Sequence, residues 1–392
     1  MKITHINHSS ITFESDNDLL LTDPWLLSNA FQGWSQFPGP NIDNFKTIMG
    51  SKSKLSIIVL SHAHDDHVDD IFLSHCDKKV KVVIPKTKNK GFKNRILRSG
   101  INSENIFEIE ERGQQVGDFF ISSISNETLS DEDYIILIKN RDNLLIHSND
   151  NWPEFNQTTI DYINLFIKKN NIYKTILMSQ IGIADSYPLF YEGIKTAEKR
   201  KIIENKISLM CNALIKNLTS IGLKEGYAYA NQSKFTNQSY LNQLDFDPYL
   251  IKDEIINSYK SCITQLMPSD QIVNGEYLKF RKDYLTVLSY RLGILEKRFN
   301  DYANRKGNNT LKVKFKVINE IKADQDLISL YAPETIWNEI LNGKINLESI
   351  ITGGNGIIVK PLSYNMKEEY KLLTNWAYIN QNISTKDLNL DL

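Results

Sequence analysis

The chain has 392 residues, 41% of them hydrophobic and 24% charged, the proportions of an ordinary soluble globular protein. Its 46 Lys and Arg against 47 Asp and Glu leave a net charge of −1, which excludes the strong basic field expected of a nucleic-acid or anionic-membrane binder. The three cysteines, Cys76, Cys211 and Cys262, are too few and too scattered for a disulfide framework or a cysteine-based zinc knuckle, and they suit a reducing cytosol.

At roughly 100–200 residues per domain, the length predicts two domains. The first residues, Met1-Lys2-Ile3-Thr4-His5, lack the apolar run of a signal peptide. No apolar run is long enough to span a bilayer. The expectation is a cytoplasmic protein without membrane insertion.

The N-terminal half reads as short strands broken by turns. Ile11 and Phe13 alternate with Thr12 and Glu14, and Leu19-Leu20-Leu21 follows the turn residues Ser15-Asp16-Asn17-Asp18, which predicts a hairpin. Leu55-Ser56-Ile57-Ile58-Val59-Leu60 is apolar on both faces and predicts a buried strand. Further strands are expected over 79–84, 116–124, 134–138 and 143–146, with helices over 89–98 and 157–169. Such mixing predicts a layered α/β architecture.

Ile203, Ile207, Met210, Leu214 and Leu218 then recur at helical spacing within 196–221. A strand is expected over 226–230. Past about residue 240 the texture changes. Leu285, Leu288, Leu292, Leu295, Phe299 and Tyr302 mark a second amphipathic helix, stopped by Lys306-Gly307-Asn308-Asn309. A strand over 310–318 and a helix over 333–341 follow. Gly353-Gly354-Asn355-Gly356 reads as a hairpin turn, because the Lys-Ser/Thr pair of a phosphate loop does not follow it. The division expected is 1–240, carrying the chemistry, and 241–392, a smaller α+β region without a catalytic signature.

The chemistry concentrates in Leu60-Ser61-His62-Ala63-His64-Asp65-Asp66-His67, just after the buried strand. Three of the seven histidines fall within these residues. Positions two apart on an extended chain point the same way, so His62 and His64 can share a cation. Asp66 and His67 can serve a second cation or orient a metal-bound water. Imidazole with carboxylate suits one or two divalent ions, iron or zinc, or manganese.

His-x-His-x-Asp-His after a buried strand resembles the metallo-β-lactamase superfamily. Leu20-Leu21-Thr22-Asp23-Pro24-Trp25, Ala30-Phe31-Gln32-Gly33-Trp34 and the histidine motif are similar to the metal-binding half of CMP-N-acetylneuraminate hydroxylases. Residues 131–138, Asn149-Asp150, Ser186-Tyr187-Pro188, Tyr191-Glu192-Gly193 and 229–235 continue the likeness, which spans about residues 2–240. More distantly, Asn7-His8-Ser9-Ser10 resembles the lactonase and N-acyl-phosphatidylethanolamine phospholipase branches, where a histidine there lies near the site. The resemblance implies an αββα sandwich with metal at one edge.

It also implies roles. Asp150 matches the aspartate that bridges two metals, and Asp66 and Asp150 are the catalytic candidates. Asp23 is expected to orient a metal histidine. His147 is left open as a ligand, a donor to a carboxylate or a buried structural histidine. His8, Trp25, Phe31, Trp34, Tyr187 and Asn231 are candidates for the substrate pocket.

Two superfamily histidines are missing. One would fall near Asn126 or Glu127, the other near Asn231; Glu127 or Asp131, or more weakly Asn126, could complete the first metal. The paired Cys-x-His and Cys-x-x-His motifs of the hydroxylases' Rieske centre are absent from the sequence too. Three functions stay open: oxidation of a small polar substrate at non-haem iron, with electrons from an external donor, the substrate or a two-iron site; zinc-dependent hydrolysis of an ester, lactone, amide or phosphodiester; and metal binding without catalysis.

Overall fold

The structure is a computed structural model. It describes the chain except residues 51–52, 89, 126–133, 150–153, 184–185, 237–240, 242, 281–286, 308–311, 318–326, 343, 346, 352–355, 360–370, 374 and 377–392. Its N-terminal part runs β1 (Lys2–Asn7), β2 (Ser10–Glu14), β3 (Leu19–Thr22), β4 (Trp34–Gln36), α1 (Ile42–Met49), β5 (Leu55–Val59), α2 (Asp70–His75), β6 (Lys81–Pro85), α3 (Gly91–Arg98) and β7 (Ile106–Ile109). Then come β8 (Gln114–Val116), β9 (Phe119–Ser125), β10 (Tyr134–Asn140), β11 (Asn143–His147), α4 (Gln157–Lys169), β12 (Lys174–Gln180), α5 (Thr196–Ser220), β13 (Gly226–Tyr229), β14 (Ser233–Phe235), α6 (Pro248–Ser258), β15 (Ile263–Gln265), β16 (Gln271–Val273) and β17 (Glu276–Leu278).

These strands make two large sheets. One has the order β17-β16-β1-β2-β3-β5-β6-β7, the other β15-β13-β12-β11-β10-β9-β8. In the first, β1, β2 and β3 form an antiparallel meander, after which β3, β5, β6 and β7 run parallel. In the second, β11, β12, β13 and β15 run parallel.

The alternation of side chains along each strand sorts the core into layers. Ile57 and Val59 of β5 join Ile11, Phe13 and Leu20 against Phe119, Ile136, Leu145 and Met178 of the other sheet. Their neighbours Ile58 and Leu60 turn outward, under Phe45, Phe72, Phe92 and Ile96 of α1, α2 and α3. That is why β5 reads as apolar on both faces. Ile163, Phe166, Ile207, Leu214 and Ile251 of α4, α5 and α6 cover the outer face of the second sheet, against Leu137, Leu144 and Leu177. The result is helix, sheet, sheet, helix: an αββα sandwich.

Helix starts follow local chemistry. The Asn41 and Asn156 side chains accept from the backbone N–H of Asp43 and Thr159, and Asp247 caps α6 with Pro248 in its first turn.

The sandwich does not stop near residue 240. β16 pairs with β1, and β15 pairs with β13, so residues up to Leu278 belong to the sheets. The expected boundary therefore falls inside the sandwich. Beyond it lie α7 (Val287–Arg305), β18 (Val313–Val317), β19 (Ile328–Ala332), α8 (Glu334–Leu341) and β20 (Ile357–Val359). β18, β19 and β20 form a small sheet, and Leu295, Phe299, Phe315, Leu330 and Trp337 make a separate core. This is the α+β region expected. The turn read at 353–356 falls mostly outside the described residues, and β20, just after it, pairs antiparallel with β19.

The C-terminal region docks on the sandwich through polar contacts. Asn338 Nδ2 donates to Asn29 Oδ1 at 2.9 Å, and the buried Arg291 reaches Leu341 O and, at 3.5 Å, Leu27 O. Among the described residues, no helix is long and apolar enough to cross a membrane.

Candidate metal centre

The ends of β1, β3 and β5 in one sheet meet those of β11 and β13 in the other. At this rim His8 (φ 48°), Asp23 (34°), Asn149 (44°) and Ala230 (52°) all adopt left-handed backbone. Non-glycine residues there cost roughly 1–2 kcal/mol each. Such strain gathers where the chain must aim particular groups.

Asp23 is the hub. Its Oδ1 accepts from the Ser61 N–H at 2.7 Å. Its Oδ2 accepts from Ser61 Oγ at 2.7 Å, His147 Nε2 at 2.8 Å and His67 Nδ1 at 3.0 Å. Burial by itself would raise the pKa of this carboxyl. The His67 and His147 rings outweigh that and hold it well below the ordinary carboxylate range. Tyr229 OH lies 2.6 Å from the other nitrogen of His147 and accepts from the Asn149 N–H at 2.8 Å. Both nitrogens of His147 are thus engaged. Of the three roles left open, these contacts match support of Asp23.

The motif loop offers donors in two groups. His62 Nδ1 lies 2.9 Å from Ser61 Oγ, and its Nε2 lies 2.8 Å from His64 Nδ1. Two ligands of a tetrahedral ion with bonds of about 2.0–2.1 Å stand about 3.3 Å apart, so this pair needs only a small opening to share one. In the second group Asp66 Oδ2 lies 3.3 Å from His8 Nε2 and 3.6 Å from His67 Nε2. One ligand atom from each of His8, Asp66 and His67 falls within 4.8 Å of the others, and all three residues are buried. The His62 and His67 rings, 4.1 Å apart at their centroids, join the two groups.

Asp69, Asp70 and Arg95, which the sequence reading passed over, brace the loop together with Asp65 of the motif. Asp69 Oδ2 accepts from the N–H groups of Leu26, Leu27 and Ser28, while its Oδ1 caps α2. Arg95 of α3 donates to Ala63 O and Val68 O and pairs with Asp65 and Asp70. Asp65 Oδ2 also accepts from the Phe31 N–H. An aspartate just before a short apolar helix was the legible signal for Asp69.

Of the pocket candidates, Trp25 is buried, with its Nε1 fixed on Ser28 O and its ring edge-on to His8. Phe31 is half-exposed and stands against both His64 and Trp34. Tyr187 packs on Tyr191 at the surface. Asn231 is buried, its Nδ2 donating to Ile181 O. Asn126, Glu127, Asp131 and Asp150 lie outside the described residues. Convergent imidazole and carboxylate donors, buried except for the exposed His64, fit one or two divalent ions. His62, His64, Asp66 and His67 would hold them.

No family model matches the chain. The cytidine monophosphate-N-acetylneuraminic acid hydroxylase of Danio rerio is 28% identical over 108 residues, 26% of this chain and 17% of its own length. The chain matches less than a fifth of the length of that relative and of the other curated relatives found with it. Among solved structures, a possible metal-dependent hydrolase from Veillonella parvula has a TM-score of 0.43 at 12% identity, over 69% of this chain and 98% of that one. CmlA, a diiron β-hydroxylase from Streptomyces venezuelae, has a TM-score of 0.43 at 14% identity, over 71% of this chain and 54% of its own. Two facing sheets between helical layers, with the His62-x-His64-x-Asp66-His67 loop at their rim, are the αββα sandwich that the resemblance to the metallo-β-lactamase superfamily implies.

Proposed function

We propose that the protein is a metal-dependent enzyme that oxidises a small polar substrate at non-haem iron. The observation that carries this is the donor set. His147 is taken up by Asp23 and Tyr229, and Asn231 stands where a further histidine was expected. What remains at the loop is a few imidazoles with a carboxylate. Such sets leave open positions and suit iron with dioxygen. The sequence match to a hydroxylase supports the same reading.

Bound iron would supply the dioxygen chemistry. The net change would place one oxygen atom of dioxygen in a substrate C–H bond and release the other as water. Two electrons and two protons would come from an external donor. The chain's own part is to hold the donors: Asp23 fixes His67, and Ser61 fixes His62. Phe31 and Trp34 line the approach beside His64.

Asp66 favours a second reading. A carboxylate between two imidazoles can orient a metal-bound hydroxide for hydrolysis of an ester, lactone, amide or phosphodiester at zinc. Metal analysis after anaerobic purification separates the two. Iron with a visible absorption band, and turnover that consumes dioxygen, are expected. Colourless zinc protein with equal rates under argon and air would overturn oxidation in favour of hydrolysis.

A further inference from the structure

We infer that His8 is a metal ligand, completing with Asp66 and His67 a second ion site of two imidazoles and one carboxylate beside the His62–His64 pair. The inference rests on the metal-centre reading and names the ligands of its second ion.

Hydrogen bonds pin the backbone of His8 but none reaches its ring. The residue sits in the tight turn between β1 and β2 at φ 48°. Its carbonyl accepts from His5 Nε2 at 2.9 Å and from the Ala230 N–H at 3.0 Å. The imidazole is only 1% exposed and its Nε2 faces Asp66 Oδ2 at 3.3 Å, yet neither nitrogen makes a hydrogen bond. A buried polar group left without a hydrogen bond costs roughly 1–3 kcal/mol. The neighbouring buried histidines each make at least one ring hydrogen bond: His5 Nε2 bonds the His8 carbonyl, and His147 bonds at both nitrogens. His8 is therefore poorly explained as a structural histidine.

The geometry supplies the missing partner. The separations of 3.3 Å and 3.6 Å from Asp66 Oδ2 to His8 Nε2 and His67 Nε2 are close to the spacing of about 3.3 Å expected for ligands sharing one ion. The His8 and His67 rings meet edge to face at 74°, so they are not stacked against each other. Trp25, locked by its own hydrogen bond, walls the His8 ring in place. Two imidazoles and one carboxylate on one side of an ion leave its opposite face open. The Ala230 contact also puts His8 next to Asn231. The turn between the first two strands thus brings a nitrogen donor to the rim position that residue 231 does not fill with one.

The test is Co2+ titration of the metal-free full-length chain, followed by calorimetry and visible absorption. Wild type is expected to bind two ions per chain. His8→Asn, a residue that tolerates positive φ, should keep the first and lose the second. Its second affinity should fall more than about 100-fold, beyond the 10–100-fold typical of a group that only supports a ligand. Two ions bound by the variant with unchanged affinities would overturn the role of His8 and leave the metal centre standing. No Co2+ bound by wild type would overturn the metal centre itself. Should His8→Asn fail to fold, proton spectra of cobalt-loaded wild type decide. Hyperfine-shifted ring protons from four histidines, His8, His62, His64 and His67, are expected; signals from three would overturn the assignment.

Discussion

Asp23 Oδ2 lies 3.0 Å from His67 Nδ1 and so decides which edge of that ring faces Asp66. A neutral imidazole has one donor and one acceptor nitrogen. By accepting a hydrogen bond from Nδ1–H, the carboxylate leaves Nε2 as the lone-pair side, the side a cation needs. The same oxygen holds His147, which braces the opposite sheet.

Asp23→Asn keeps the shape of this hub and removes its charge. The amide can no longer accept from Ser61, His67 and His147 together. Metal affinity should fall about 10–100-fold, as for other groups that orient a ligand. Equilibrium dialysis against a competing chelator would measure it, and unchanged affinity would show that His67 needs no such guide.

Asp69→Ala removes the acceptor for five backbone N–H groups, three in the loop after β3 and two at the start of α2. Loss of the cap alone costs about 1 kcal/mol, and the stranded loop donors add to it. A loss of about 3 kcal/mol or more is expected in urea unfolding. Asp69→Asn, which keeps one oxygen, should recover part of it.

Lys252 sets a pH dependence. Burial lowers the pKa of its ammonium, against the opposing pull of Asp253, while its Nζ donates to Asn231 O. The unfolded chain holds its proton up to about pH 10.4. A depressed folded-state pKa means that the unfolded state binds more protons, so stability rises with pH through this window. The stabilising term is complete above the unfolded value and is lost as pH falls through the folded one. Melting temperatures of wild type relative to Lys252→Met should therefore rise from pH 7 toward pH 10. A flat difference would mean that the ammonium is solvated.

Burial pushes the thiols of Cys76 and Cys211 up to about 12, with Asp69 and Asp77 adding to the effect at Cys76. The thiolate is the reactive form. Cys76 and Cys262 are both partly exposed and Cys211 is buried, and iodoacetamide at pH 8 should label Cys262 ahead of both thiols that are pushed up. Peptide mapping by mass would check this; equal labelling of all three in the native protein would contradict the raised Cys76 and Cys211 thiols.

Much of the scaffold was written in local pattern. The double-faced run at 55–60 gave β5, and the helical spacing from Ile203 to Leu218 gave α5, because burial there follows the period of the element. The His62 to His67 loop was equally plain, since its donors lie side by side in the chain. What escaped depends on distance. The place of His8 is set by Ala230, more than two hundred residues later, and the role of His147 by Asp23 and Tyr229. β15, β16 and β17 are three residues each, too short for any periodicity to declare them.

Those three short strands have a practical bearing. They cover β1 in one sheet and β13 in the other. A chain shortened to residue 240 would bare both flanks at once, each a row of unpaired amides and carbonyls ready to template another molecule. Such a truncation should self-associate rather than yield an isolated catalytic half. A fragment that behaves as a monomer must reach at least Leu278.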